Sequence, residues 1–375
     1  MVHDIKENVT INLKTIDTEK YYIMKIKNQK QKSIINRFSR RKFLESMGAF
    51  TVSLFAPDIM WSSCKRSFKP REGKSNHYVM DGKPLLVAVE GYDVQQMLMK
   101  GLETIGGLKK IINKDEHVFI KPNYGSHRAY PTGSDPQFLI SIADHVKKCG
   151  TNEVTICDSS DAYVLNRYND FEYVFKVNNV FEIAEKAGVE VICTHPKDEK
   201  EYIPVCSDRW EKNPEIKVNR HLLSAKVLIN QPMLKKHGDA FMTCALKNFY
   251  GAVYQPQRMN SHIQLRENKD AGRDFFMNTI AEFADVLRPE LTIVDARKIL
   301  TVRGPSLKKG SVVKDINKLI LCGDMVAADT YCAQILDDYD ETFEKEMIAP
   351  TLQYAEKLGL GTSDLKNVKI VEITT

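Results

Sequence analysis

The chain lacks the short motifs that most often mark a bound cofactor. It has eight cysteines but no Cys-x-x-Cys pair; they lie at positions 64, 149, 157, 193, 206, 244, 322 and 332. This spacing argues against a zinc ribbon or an iron–sulfur cluster built from neighbouring cysteines. Neither Gly-x-Gly-x-x-Gly nor Gly-x-x-x-x-Gly-Lys-Ser/Thr occurs, so a dinucleotide fingerprint and a P-loop have no support.

The body of the chain has no net positive charge. The formal net charge is +5, but residues 1–64 hold 11 Lys and Arg against 6 Asp and Glu, whereas the remaining residues hold 43 of each. The body therefore offers no basic surface of the kind that binds DNA or RNA. Outside the first 64 residues no apolar run approaches the ~18 residues of a membrane-spanning helix. With 43% hydrophobic residues among 375, the chain can build a large core.

The first 64 residues resemble an export leader. Arg40 and Arg41 stand in the run Ser-Arg-Arg-Lys-Phe-Leu, ahead of a moderately apolar stretch over 47–60. We expect a twin-arginine signal, the twin-arginine export machinery as a partner, and a periplasmic or otherwise extracytoplasmic protein. The alternative is an amphipathic first helix that packs residues 42–60 into the core.

Two details of the leader stay open. The stretch before the signal is long for a leader, so Met24 is a candidate for the true start. Cys64 sits where a lipoprotein cysteine would lie, which suggests a lipid anchor, although Trp61 departs from the aliphatic residue usual there.

Beyond the leader, strand-like and helix-like patterns alternate. Short apolar runs typical of buried strands are followed by segments whose apolar residues recur every three or four positions. Asp135-Pro136 marks the start of one helix, and Gly150 marks its end. We predict an α/β fold, with a largely parallel sheet, helices on both faces and Rossmann-like layering. Residues 65–83 are predicted to be a linker, and 84–375 a single domain.

Residues 226–254 are the segment around which we expect the rest of the chain to be organised. Positions 227–229 read as a buried strand, which breaks into a cationic loop at 235–238. We expect a helix over 239–253 and then a polar loop over 255–272.

Polar side chains follow several predicted strands. Because the carboxyl ends of parallel strands share one edge, where ligands sit in open α/β sheets, we expect these side chains to meet there. The set is Lys121, Asn123, Asp158, Lys235, His237, Asp295 and Asp324. The alternative is that loops are polar in general.

The types of side chain suggest roles. An imidazole titrates near neutrality, so His237 is the candidate general acid or base. The predicted catalytic set is His237, Lys235, Asp158 and Asp295. Lysines suit a carboxylate or phosphate, with help from the amide donors at the helix starts that follow these loops. The predicted substrate-binding set is Lys121, Asn123, Lys247 and Asn248.

Two further carboxylates are candidate ligands for a divalent metal. Oxygen ligands suit a hard cation such as Mg²⁺, and the candidates are Asp324 and Asp329. Asp329 lies inside an apolar helix, where a structural ion pair explains it equally well.

Several of these motifs together resemble the domain of unknown function 362 family. The resemblance covers about residues 85–373 and rests on Ile120–Asn123, Asp158-Ser159, Asn230–His237, Ala245–Gly251, Asp295-Ala296 with Gly304-Pro305, and Asp324–Asp329. In having a twin-arginine leader, the chain is also similar to exported members of that family. The family has no settled activity, and some relatives carry iron–sulfur ferredoxin modules whose cysteine pattern this chain lacks.

Three hypotheses for function follow. The first is an exported enzyme that uses the Lys/His/Asp cluster on a small anionic substrate, with or without a divalent metal. The second is a metal- or iron–sulfur-associated redox protein exported in its folded state. The third is a solute-binding module without chemistry.

Overall fold

A large mixed sheet forms the centre of the protein. The computed structural model describes residues 68–71, 76–125 and 128–375. The strands of these residues are β1 (Val79–Met80), β2 (Lys83–Glu90), β3 (Val118–Lys121), β4 (Val154–Ser159), β5 (Glu190–Thr194), β6 (Tyr202–Val205), β7 (Ile216–Asn219), β8 (Val227–Asn230), β9 (Met233–His237), β10 (Phe241–Thr243), β11 (Leu291–Thr301), β12 (Val312–Cys322) and β13 (Lys369–Thr374).

Helices connect most of these strands. The α-helices in the same part of the chain are α1 (Val94–Ile105), α2 (Pro136–Lys147), α3 (Ala162–Tyr168), α4 (Tyr173–Val177), α5 (Val180–Lys186), α6 (Arg220–Ser224), α7 (Ala245–Asn248), α8 (Gln255–Glu267), α9 (Lys269–Asp285), α10 (Met325–Tyr339) and α11 (Ala349–Lys357). Short 3₁₀ turns lie at Leu108–Lys110, Glu199–Glu201, Phe249–Ala252, Lys345–Ile348 and Leu365–Asn367.

The sheet is mostly parallel. Its central order is β2-β12-β11-β8-β3-β4-β5, and β13 pairs with β2 in parallel. β12 runs antiparallel to both of its neighbours, β2 and β11. β6 and β7 form a separate two-stranded sheet. The predicted α/β fold with a largely parallel sheet is confirmed, and the reversal of β12 is the main departure from it.

Both faces of the sheet are buried under helices. Along β2, Leu86 and Ala88 belong to one apolar cluster with residues of α9 and α10. Leu85, Val87 and Val89 belong to a second cluster with residues of α1 and α2. Because successive strand side chains point to opposite faces, one apolar run supplies both cores.

The helix ends follow the signals in the sequence. Asp93 caps α1 by accepting hydrogen bonds from the amides of Gln95 and Gln96, and Gly106 ends that helix with a φ of 102°. Asp135 caps α2 from the position before Pro136, as predicted.

The predicted elements over 226–272 need correction. Residues 233–237 are strand β9 rather than a loop, because their backbone pairs with β10 on one side and β11 on the other. The helix predicted over 239–253 shrinks to the four residues of α7 and a 3₁₀ turn. The loop predicted over 255–272 is instead α8 and the start of α9.

The leader, with Arg40, Arg41 and Cys64, lies outside the described residues. The described part of the predicted linker contacts the domain. Arg71 forms an ion pair with Glu290 at 3.0 Å, and Phe68 forms an isolated parallel β-bridge with Val205. None of the described helices is both long and apolar enough to cross a membrane.

Candidate active site

A pocket of about 160 Å³ opens at the edge where the parallel strands end. It brings together seven of the predicted site residues, which are Lys121, Asn123, Asp158, Lys235, His237, Lys247 and Asn248. The lining also includes residues that the sequence analysis did not select, among them Asp161, Thr243, Tyr250, Gln255, Arg258, Met259, His262 and Ser306.

A buried ion pair forms part of the lining. Lys121 ends β3 and is fully buried, and its Nζ donates to Asp158 Oδ1 at 2.8 Å. Asp158 also accepts hydrogen bonds from the amides of Tyr124 and Ser159. Burial lowers the pKa of Lys121, while the neighbouring Asp158 opposes that shift. A Cβ on Gly251 would lie 2.6 Å from Asp158 Oδ1, so the backbone passes too close for a side chain there.

A chain of side-chain amides fixes the next part of the lining. Asn248 Nδ2 donates to Asn230 Oδ1 at 2.8 Å, and Asn123 Nδ2 donates to Asn248 Oδ1 at 2.8 Å. Asn123 Oδ1 in turn accepts a hydrogen bond from Lys235 Nζ at 2.6 Å. Because each buried polar group has a partner, this network holds the lysine in one place.

The pleat of β9 separates its two lysines. Lys235 points into the pocket, where its Nζ also donates to the Thr132 carbonyl. Lys236, the next residue, donates instead to the carbonyl of Thr342 and lies over the Phe343 ring. Burial lowers the pKa of Lys235 to about 7. This lysine is therefore poised between its charged and neutral forms.

One face of α8 covers the pocket. Gln255, Arg258, Met259 and His262 follow the i, i+3, i+4, i+7 spacing of a single helical face. Arg258 Nη2 donates to Ser159 Oγ at 2.9 Å. Among the described residues, Arg258 Nε and Gln255 Oε1 are buried and have no hydrogen-bond partner.

Lys247 lies against an aromatic wall. Its Nζ sits 2.9 Å from the centroid of the Tyr250 ring and 5.7 Å from that of Phe276. Burial lowers the pKa of Lys247 well below its ordinary value, and the charge of Arg258 lowers it further. When Lys247 is protonated, the ring faces stabilise its positive charge.

Two histidines line the pocket, and Asp239 lies between them in the chain and in space. His237 Nδ1 accepts hydrogen bonds from the amides of Asp239 and Ala240, at 3.1 and 3.2 Å. His262 Nδ1 lies 2.9 Å from Asp239 Oδ2. Burial lowers the pKa of both rings, and that of His237 falls well below its ordinary value. Both imidazoles are therefore neutral at neutral pH.

Asp295, Asp324 and Asp329, which were predicted as catalytic or metal-binding residues, do not line this pocket. Asp295 lies within β11, is fully buried, and pairs with Arg297 at 2.7 Å. It does not end a strand, because β11 continues to Thr301. Asp324 follows β12, whose reversed direction carries it to the opposite edge of the sheet. There it lines a different pocket, of about 180 Å³.

The two carboxylates predicted as metal ligands cap helices instead. Asp324 accepts hydrogen bonds from the amides of Val326 and Ala327 at the start of α10. Asp329 accepts hydrogen bonds from the amides of Ala245 and Leu246. It therefore caps α7, although it is more than 80 positions away in the sequence. Burial raises the pKa of each to about 6. Across the described residues, no group of three or more His, Cys, Asp or Glu side chains is arranged to hold a metal ion.

Fold and pocket together define an α/β protein whose strand ends converge on a buried, cation-rich cavity. The family model described as Domain of unknown function (DUF362) matches residues 118–334. This is more than half of the chain, and it contains all the pocket residues named above. The protein belongs to this family.

One sequence relative and one solved structure illustrate how far the similarity extends. The thylakoid-associated protein sll1697 of Synechocystis sp. is 24% identical over 262 residues, which are 69% of this chain and 73% of that protein. Among solved structures, the lactate racemase apoprotein of Thermoanaerobacterium thermosaccharolyticum matches with a TM-score of 0.40 and 10% identity, over 80% of this chain and 85% of the other. A likeness at this level carries no inference about chemistry.

Proposed function

We propose that the pocket is the active site of an enzyme that performs acid–base chemistry on a small anionic molecule. The observation that carries the proposal is a set of three buried basic side chains. Lys235, Lys247 and Arg258 line one cavity and are buried. In the described part of the chain they contact a side-chain amide, an aromatic ring and a hydroxyl, respectively, rather than a carboxylate. By contrast, Lys121 beside them is paired with Asp158.

Burying a cation without a counter-charge is costly, so proteins seldom do it without a reason. Here the cost appears as lowered pKa values for Lys235 and Lys247, each caused first by burial. An anion entering the pocket would supply the missing counter-charge and restore these pKa values. Perturbed groups that share a cleft are characteristic of functional sites.

The remaining lining suits chemistry as well as binding. The hydrogen bond between Asn123 and Asn248 fixes one wall of the pocket. On the other wall, Arg258 Nε is a donor and Gln255 Oε1 an acceptor, and neither has a hydrogen-bond partner. His237 and His262 supply imidazoles to the same cavity. A binding protein needs only the cations, whereas two neutral imidazoles beside them favour proton transfer.

We further propose that the protein reaches its substrate outside the cytoplasm. The twin-arginine run with Arg40 and Arg41 supports export to the periplasm, and Cys64 is the candidate lipid anchor. Fractionation of cells carrying Arg40→Lys/Arg41→Lys tests this: the variant should stay in the cytoplasm, and unchanged export would end the proposal.

Anion binding is tested with two defined probes, sulfate and malonate. Calorimetry on the full chain should show that one or both bind, and that Arg258→Met weakens binding at least about tenfold, or ~1.4 kcal/mol. The exposed Arg220 provides the matched control, Arg220→Met, which should bind like the wild type. If neither probe binds, or if both variants bind equally, the proposed anion site is wrong.

A second experiment separates the three functional hypotheses. The full chain is purified without oxygen, and bound metals and co-purifying small molecules are measured by mass spectrometry. A retained anionic molecule that is converted on incubation supports the enzyme. The same molecule retained without turnover would favour a solute-binding module, and stoichiometric iron would favour a redox protein.

A further inference from the structure

Asp239 contacts both pocket histidines through different atoms. It lies in the turn between β9 and β10, one residue beyond Gly238. Its backbone amide donates a hydrogen bond to His237, whereas its carboxylate lies within hydrogen-bonding distance of His262. The two contacts have opposite consequences for where each ring carries its proton.

His237 must carry its proton on Nε2. Its Nδ1 faces two backbone amides, from Asp239 and Ala240, at 3.1 and 3.2 Å. A backbone N–H can only donate, so Nδ1 has to be the unprotonated nitrogen. The remaining nitrogen, Nε2, is then an N–H donor in the neutral ring. A neutral imidazole of this kind can donate a hydrogen bond but has no free lone pair to accept a proton.

His262 has the reverse arrangement. Its Nδ1 lies 2.9 Å from Asp239 Oδ2. The hydrogen bond from His262 lowers the pKa of Asp239, so the carboxylate is ionised and can only accept. Nδ1 of His262 therefore carries the proton, and Nε2 keeps a free lone pair. This is the arrangement in which a carboxylate orients a histidine as a base.

The surroundings of His262 favour this role. Its ring packs against Phe276 at 4.9 Å and Tyr250 at 6.0 Å, the same rings that hold Lys247. Burial lowers the pKa of His262, the Asp239 carboxylate raises it, and the charges of Lys247 and Arg266 lower it. The base is thus kept unprotonated, while the imidazolium formed on proton transfer would have a carboxylate beside it.

We propose that His262 is the proton acceptor of this active site, that Asp239 is its positioning residue, and that His237 only donates a hydrogen bond to the substrate. This inference rests on the proposed function, and it replaces the general acid or base role predicted for His237. The proposed base therefore lies on α8, in a segment for which the sequence pattern predicted a loop.

The arrangement points to a class of substrate, an anion with a hydrogen on a carbon next to a carbonyl group. The C–H bond breaks and the proton goes to His262 Nε2. The electron pair of that bond forms a C=C bond, and the carbonyl π pair moves onto oxygen. His237 Nε2–H stabilises this oxyanion by a hydrogen bond, as buried donors do where charge develops. Return of the proton from His262 to carbon restores the enzyme, and no oxidant or reductant is needed.

Imidazole ¹⁵N NMR tests the assignment directly. Full chain labelled with ¹⁵N-histidine is studied without ligand near pH 7.5, and the two rings are assigned with His237→Gln and His262→Gln. His237 should show the tautomer protonated on Nε2, and His262 the tautomer protonated on Nδ1. Finding His262 protonated on Nε2, or both rings in the same tautomer, overturns the proposal.

Asp239→Asn separates the carboxylate from the backbone amide. The variant keeps the amide that donates to His237, so that ring should keep its tautomer. His262 should lose its preference for Nδ1–H, and its pKa should fall because the neighbouring negative charge is gone. An unchanged His262 spectrum would remove Asp239 from its positioning role. These spectra are recorded on ligand-free protein, so their outcome does not depend on the sulfate and malonate titrations that test the anion site. The two proposals can therefore fail independently.

Discussion

Lys235 Nζ donates a hydrogen bond to Asn123 Oδ1 at 2.6 Å, although 112 positions separate the two residues. The contact joins β9 to the loop after β3, and both residues are buried. The lysine is therefore held by a neutral amide rather than by a carboxylate. Its burial is a cost to the folded state that an anionic ligand can offset.

Lys235→Met should stabilise the protein at neutral pH. The pKa of Lys235 falls from an ordinary 10.5 to about 7 on folding, and one unit corresponds to about 1.4 kcal/mol. Loss of the hydrogen bonds to Asn123 and Thr132 offsets part of the gain, at about 1 kcal/mol or more each. We expect a net increase of about 1–3 kcal/mol in the free energy of unfolding at pH 7, measured by urea denaturation.

The same variant has a defined pH signature. Between about pH 7 and 10.5 the unfolded wild-type chain binds more protons at this position than the folded protein does. The wild type therefore gains stability as the pH rises through that window, and the advantage of Lys235→Met shrinks. The exposed Lys309 gives the control, Lys309→Met, which should show no such trend. A difference that does not depend on pH would contradict the assignment.

Malonate binding should be accompanied by proton uptake. At pH 8 Lys235 in the empty pocket is mostly neutral, because its pKa is about 7. A bound carboxylate raises that pKa and draws about one proton onto the lysine. Calorimetry in two buffers of different ionisation enthalpy measures this uptake. It should decrease in Lys235→Met and persist in Lys309→Met, and proton release on binding would count against the proposed site.

Asp158→Asn should be strongly destabilising. The substitution leaves Lys121 fully buried beside a neutral amide, and breaking a buried ion pair from one side costs about 3–5 kcal/mol. Lys121→Met/Asp158→Asn removes both charges and should recover most of the loss. Urea denaturation of the two single variants and the double variant gives the coupling energy. Additive losses would mean that the two charges do not depend on each other.

Asp329→Ala should weaken anion binding from outside the pocket. Asp329 holds the amides of Ala245 and Leu246, and so fixes the short helix that carries Lys247. We expect malonate affinity to fall about tenfold, or ~1.4 kcal/mol, by calorimetry. Asp324→Ala removes a comparable cap at the start of α10, on the other edge of the sheet, and should leave the affinity unchanged. Equal losses in both variants would indicate a general loss of order instead.

How much the sequence could predict depended on how local the signal was. Apolar runs identified β2, β3, β4 and β8, and Asp135 marked a helix start, because strand burial and helix capping act within a few residues. The parallel order then brought Lys121, Asp158 and Lys235 to one edge, as expected. These predictions succeeded because they required only chain direction and periodicity.

Other features were obscured by the pocket itself. The face of α8 that carries Arg258 and His262 is polar, since it faces a cavity rather than the apolar core. Its apolar periodicity is therefore weak, although the spacing of those residues was available as a signal. The residues of β9 were obscured in a similar way. Lys235 and His237 lie on one side of the strand and Lys236 on the other, but three consecutive basic residues suggested a loop.

The sequence by itself determined the α/β class, strands such as β2, β3, β4 and β8, the helix start at Asp135, and the types of side chain at those strand ends. Only the tertiary structure decided which of those side chains share a cavity. The direction of β12 took Asp324 away from the pocket, and continuation of β11 placed Asp295 within a strand. Strand reversal and the docking of α8 depend on contacts between distant residues, which no local pattern records.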